Sequence, residues 1–182
     1  MVRFHHLSAL PSWFVVLPDD DSASSVAATF RDHASQQLSH ASGRPWLLGC
    51  WDEGAVATGQ AGGTRIAVLG QHAVMADNLA RAAGQVRGVS DLDRLAGLLV
   101  GSSHLVASVD GKVRVQGTVT GTRRVFHAMV NGARVAADRA DVLAGLVSAG
   151  LDERRLALHL LEPHVLYPLA GQPVWQGVEQ LS

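Results

Sequence analysis

His104-Leu105-Val106-Ala107-Ser108-Val109-Asp110-Gly111-Lys112-Val113-Arg114-Val115-Gln116-Gly117, followed by Val125-Phe126-His127-Ala128-Met129-Val130-Asn131-Gly132-Ala133-Arg134-Val135-Ala136-Ala137, decides the fold class. Each stretch is two extended apolar runs around a dipeptide, Asp110-Gly111 or Asn131-Gly132. Both central positions of a tight hairpin turn need positive φ, which Asn, Asp and Gly tolerate best. The sequence therefore predicts two β-hairpins and a mainly antiparallel sheet.

Working outward, Trp13 to Leu17 predicts a strand closed by Pro18, and Pro45 to Trp51, apolar on both parities, a strand covered on both faces. Ala55 to Thr58 and Arg65 to Leu69 predict two more, separated by a turn over Gly59 to Gly63. Helical spacing follows Ser22 through Val26, Ala27, Phe30, Ala34 and Leu38 up to Ser42-Gly43. Further helices are predicted at Ala73 to Val86 with Met75, Leu79 and Ala83 as its core stripe, at Asp91 to Val100, at Arg139 to Ala149 and at Asp152 to Leu161. The tail from Pro163 is rich in Pro and Gly, and is expected to be a poorly ordered interface element. Two antiparallel sheets, each needing a helical cover, predict an α+β fold: a four-layer α/β/β/α sandwich.

At 182 residues, against about 150 per domain, the chain is expected to form one domain. Hydrophobic residues at 47% against 17% charged exclude a disordered chain. Fifteen basic residues, of which only Lys112 is lysine, against sixteen acidic ones leave no basic surplus, so no nucleic-acid partner is expected. Cys50 stands alone, which excludes a disulfide framework and fits a reducing compartment. The run Trp13 to Leu17 is too short for a signal-peptide core, and no stretch approaches the roughly 20 apolar residues that span a bilayer. A cytoplasmic protein without a membrane partner is expected.

No catalytic set emerges from the residues alone. His5-His6, His33 and His40 lack ligand spacing, so no metal is expected. Gly-x-Ser-x-Gly is missing, Gly59 to Gly63 has no following Lys, and Cys50 lies mid-strand, where a buried structural thiol is favoured.

The order of elements resembles the N-terminal glutaminase-type domain of asparagine synthetase-like proteins, a class II amidotransferase domain of the N-terminal nucleophile hydrolase fold. Four stretches carry the resemblance. Val68-Leu69-Gly70-Gln71 is similar to the family's Val-Asn-Gly-Glu turn, and Gly101 to Ala107 to its Gly-x-Phe-Ala-Phe-Ala strand. Gly117 to Phe126 stands where the family has Arg-Asp-x-x-Gly-x-x-Pro-Leu-Tyr, and Val135-Ala136-Ala137-Asp138 with Val142-Leu143 resembles Ala-Ser-Glu-x-x-x-Leu.

The resemblance implies its own failure at the active site. Val2 stands at the family's nucleophilic cysteine, Leu69 at its oxyanion-donor asparagine and Thr118 at the aspartate that holds the substrate's α-amino group. A domain that has lost all three is expected to have no glutaminase activity. Its old pocket, lined by Gln71, His104 and Thr118, is expected to be collapsed, and Arg123, Arg124, Tyr167 and Trp175 are expected to carry interface contacts.

Relatives that lose this set include β-lactam synthetases and lasso-peptide macrolactam cyclases. The texture of Asp138-Arg139-Ala140-Asp141 and Pro173 to Val178 is most similar to the lasso cyclases. The implied partner is a C-terminal ATP-binding synthetase domain, in cis or in trans, together with a precursor peptide. Its Ser-Gly-Gly-x-Asp-Ser loop is not found in this sequence, so ATP and magnesium are expected in that other domain and no cofactor in this chain, which resembles a fragment or a split subunit. A free-standing binding or oligomerisation module is the alternative.

Overall fold

The computed structural model describes residues 12–118, 120–161 and 171–181. In chain order these form β1 (Trp13–Val16), α1 (Asp21–Thr29), β2 (Gln36–Ser39), β3 (Pro45–Cys50), β4 (Val56–Ala61), β5 (Thr64–His72), α2 (Ala76–Gln85) and α3 (Leu92–Leu98). They continue as β6 (Gly101–Val109), β7 (Lys112–Gln116), β8 (Phe126–Val130), β9 (Ala133–Ala137), α4 (Ala140–Val147), α5 (Glu153–Leu160) and β10 (Val178–Gln180). Both predicted hairpins form. Asp110 and Gly111 turn at φ 48° and 80°, Asn131 and Gly132 at 52° and 84°, the double positive φ that a two-residue turn requires.

The protein is a mixed α+β fold with two antiparallel sheets, one in the order β10-β8-β9-β1-β3-β2 and the other β4-β5-β6-β7. Strand parity sorts the core into three layers. Trp13, Val15, Val135 and Ala137 face α1 and α4, burying Val26, Phe30, Val142 and Leu143 beneath them. Phe14, Val16, Leu47 and Ala136 meet Ala67, Leu69 and Val106 between the sheets. Ile66, Val68, Leu105 and Ala107 face α2 and α3 through Leu79, Ala83 and Leu92. Alternate residues of β1, β5 and β6 thus serve opposite layers, as a period of two requires.

Several expected boundaries move. The helix opened by the Asp20 cap stops at Phe30, and Gln36–Ser39 is strand β2 rather than helix, because it pairs along β3. Leu38 and Leu47 pair, but Ser39 pairs with Pro45, leaving Trp46 as a bulge. That extra residue puts Trp46 in the layer between the sheets beside Leu47, against the expected alternation. Gly59 lies inside β4, so the turn is only Gly62-Gly63. Met75 caps α2 from outside and is 69% exposed, so the α2 stripe is Leu79 and Ala83 alone. The described part of the tail is ordered: β10 pairs with β8, and Val178 is fully buried.

One polar bridge crosses between the layers. The His40 Nε2 lies 3.1 Å from the Leu17 carbonyl and its Nδ1 2.7 Å from the Ser108 hydroxyl. A carbonyl only accepts, so Nε2 carries the proton and Nδ1 accepts from Ser108. Burial holds this imidazole below its ordinary pKa, against the pull of the Leu17 carbonyl. Ser108→Ala strands a buried acceptor and is expected to cost about 1–3 kcal/mol in urea unfolding. A change below about 0.5 kcal/mol, the level of a surface substitution, would refute the bridge.

Candidate functional site

Of the residues singled out by sequence, His104 stands at the head of β1 with Leu69 beside it in the ladder. The Phe14 N–H donates to Asp138 Oδ1 at 2.8 Å, and the Phe14 and His104 rings meet in a T-shaped contact with their centroids 4.9 Å apart. His104 Nε2 lies 3.0 Å from the Arg124 carbonyl and therefore carries its proton. Burial pushes the His104 pKa down, the Arg124 carbonyl opposes this, and the charge of Arg123 adds to it. Asp138 is pushed up to about 6, chiefly by burial and against the stabilising Phe14 N–H. Both groups are thus held toward their neutral forms.

Leu69 pairs with His104 across the ladder and is buried between the sheets. Its neighbour two residues on, Gln71, is exposed at the strand end. Thr118 is occupied in its own loop. Its N–H donates to the Arg123 carbonyl at 3.0 Å, its hydroxyl accepts from the Arg123 N–H at 2.9 Å, and it lies 2.9 Å from the Thr122 hydroxyl. A side chain at Gly117 would run into the Arg123 carbonyl, so glycine lets this loop close. Gln71, His104 and Thr118 therefore do not line one cavity. Val2 and Tyr167 lie outside the described residues.

The open space lies beside this corner. Among the described residues the first sheet has six strands and the second four, so the inner face of β9, β8 and β10 runs past the edge strand β7. A cleft of about 1190 Å³ results. Val113 and Val115 of β7 form one wall, Ala136, Arg134 and His127 the floor, and Thr118, Arg123 and Arg124 the rim. Arg123 Nε donates to Ser102 Oγ at 3.2 Å and Arg124 Nε to the Gly121 carbonyl at 3.4 Å, both neutral acceptors. Trp175 does not join them. It packs against the outer layer under α4 and bridges to Leu151, so the expected interface set divides over two faces.

Arg134, His127 and Asp138 escaped sequence reasoning as site residues. Strand parity alone would have turned Arg134 and His127 inward, but nothing local marks that face as uncovered. Among the described residues no group of three or more His, Cys, Asp or Glu could hold a metal ion. No helix of the described residues is long and apolar enough to cross a membrane. No family model matches the chain, and no curated protein matches it.

Proposed function

We propose that this chain is a glutaminase-like domain of the N-terminal nucleophile hydrolase type that has lost its chemistry and serves an ATP-dependent, asparagine synthetase-like ligase. The finer reading is a lasso-peptide cyclase, in which a carboxylate is adenylated in the partner domain and an amine of the same peptide displaces AMP to form the amide. The observation that supports it most is the occupied corner at the head of β1. Leu69 cannot donate to an oxyanion, and the Thr118 hydroxyl is tied into its loop. His104 is held toward its neutral form and tied to the Arg124 carbonyl, and the Asp138 carboxyl already accepts from the Phe14 N–H, so the polar groups of the corner are engaged within the fold. What remains is shape: one wall of an enclosure that keeps water from a labile adenylate.

Incubation of the chain with glutamine is expected to release no glutamate above the uncatalysed background. Turnover that survives repurification and disappears in Cys50→Ala would overturn the reading. The encoding frame or its neighbour is expected to specify a Ser-Gly-Gly-x-Asp-Ser loop, and its lack in both would defeat the ligase assignment.

A further inference from the structure

We propose that the cleft beside β7 is a docking groove for an extended, acidic peptide segment, which adds to the second sheet as a fifth strand. The inference rests on the cleft's geometry and not on the ligase reading. The two-residue turn at Asp110-Gly111 makes Val109 and Lys112 the closing hydrogen-bonded pair. Alternation along an antiparallel ladder then leaves Val113 and Val115 with their N–H and C=O groups pointing away from β6. Among the described residues no backbone group outside the ladder bonds to them. Such an edge is a template for strand addition.

Charge decides what the added strand carries. Among the described residues no Asp or Glu lines the cleft. Arg123 and Arg124 hydrogen-bond to neutral oxygens only, and Arg134 makes no ion pair among the described residues. Arg114 is already committed to Asp93 at 2.6 Å, and His127 faces Glu179 at 3.8 Å. Among the described residues these three arginines have no carboxylate partner, and in a chain of net charge -1 they are a local excess that carboxylates would satisfy. Among the described residues no Phe, Tyr or Trp lines the cleft, so the stacking on which single-stranded nucleic acid depends has only the His127 imidazole, already facing Glu179, as a platform. A strand beside β7 would alternate side chains between the Arg134 floor and the outer face.

The test is fluorescence anisotropy with the full chain and a labelled peptide of alternating Thr and Glu, about seven residues long. A Thr/Lys peptide, an oligo-dT and a Thr/Glu peptide N-methylated on alternate residues serve as comparisons. Saturable binding of Thr/Glu is expected, weakening with added salt. Arg134→Glu and Arg123→Glu should each lower affinity about tenfold or more, and N-methylation of the edge-facing residues should abolish it. No saturable binding of Thr/Glu, equal binding of Thr/Lys, tighter binding of oligo-dT, or indifference to N-methylation would each overturn the proposal.

Discussion

Gly59→Val is expected to lower stability by about 3 kcal/mol, a fall in melting temperature of about 10 °C for a chain of this size. Gly59 sits in β4 on the face that α2 covers. A Cβ there would collide with Leu79 Cβ and with the Ala80 backbone nitrogen. Leu79 is fully buried and cannot swing aside, so α2 must lift from the sheet and open the layer it shares with Ile66 and Val68. Gly84→Ala is the internal control. Its Cβ would meet only the Ala61 side chain at 3.7 Å, and removing a helical glycine is expected to stabilise by about 0.5–1 kcal/mol. Thermal unfolding of both variants decides: if Gly59→Val melts with the wild type, α2 does not lie on β4 as described.

Gly59 also marks the limit of what sequence could reveal. Five residues including three glycines read locally as a turn, yet Gly59 is demanded by a helix twenty residues later. The same limit applies to Gln36–Ser39. Phe30, Ala34 and Leu38 keep helical spacing, but the free edge of β3 offers a hydrogen-bonding ladder, and Leu38 reaches the layer between the sheets by taking it. The hairpins were legible because Asp110-Gly111 and Asn131-Gly132 act on their own backbone. The four-stretch resemblance led to Leu69 and His104, which pair between β5 and β6 near the head of β1, and to Thr118, which is tied into the loop before β8. The cleft was illegible for a topological reason. It exists because six strands face four, and neither sheet's width is written in any one segment.

Asp138→Asn is expected to stabilise the protein at pH 7 by roughly 2–3 kcal/mol, an unusual sign for a change at a partly buried polar residue. The folded carboxyl titrates at about 6 against an ordinary 3.8, because burial penalises its charge more than the Phe14 N–H and Arg139 favour it. A raised carboxyl pKa means that the folded state binds its proton more tightly than the unfolded state. Stability therefore rises as pH falls from about 6 toward 3.8, and above 6 the ionised group carries the whole penalty. Asparagine keeps an oxygen for the Phe14 N–H, now at 2.8 Å, and removes the charge. His40 and His104 act oppositely: their folded pKa values lie below 6.5, so they lower stability as pH drops beneath that value. Both proteins share these histidines, so the difference between wild type and variant isolates Asp138. Urea unfolding from pH 7.5 to 4 should show that difference shrinking toward zero at the acid end. A variant less stable than wild type at pH 7 would mean that the charge at Asp138 is used. The head of β1 would then be a polar site kept for a cationic ligand, and the reading of this domain as a scaffold emptied of its chemistry would fail with it.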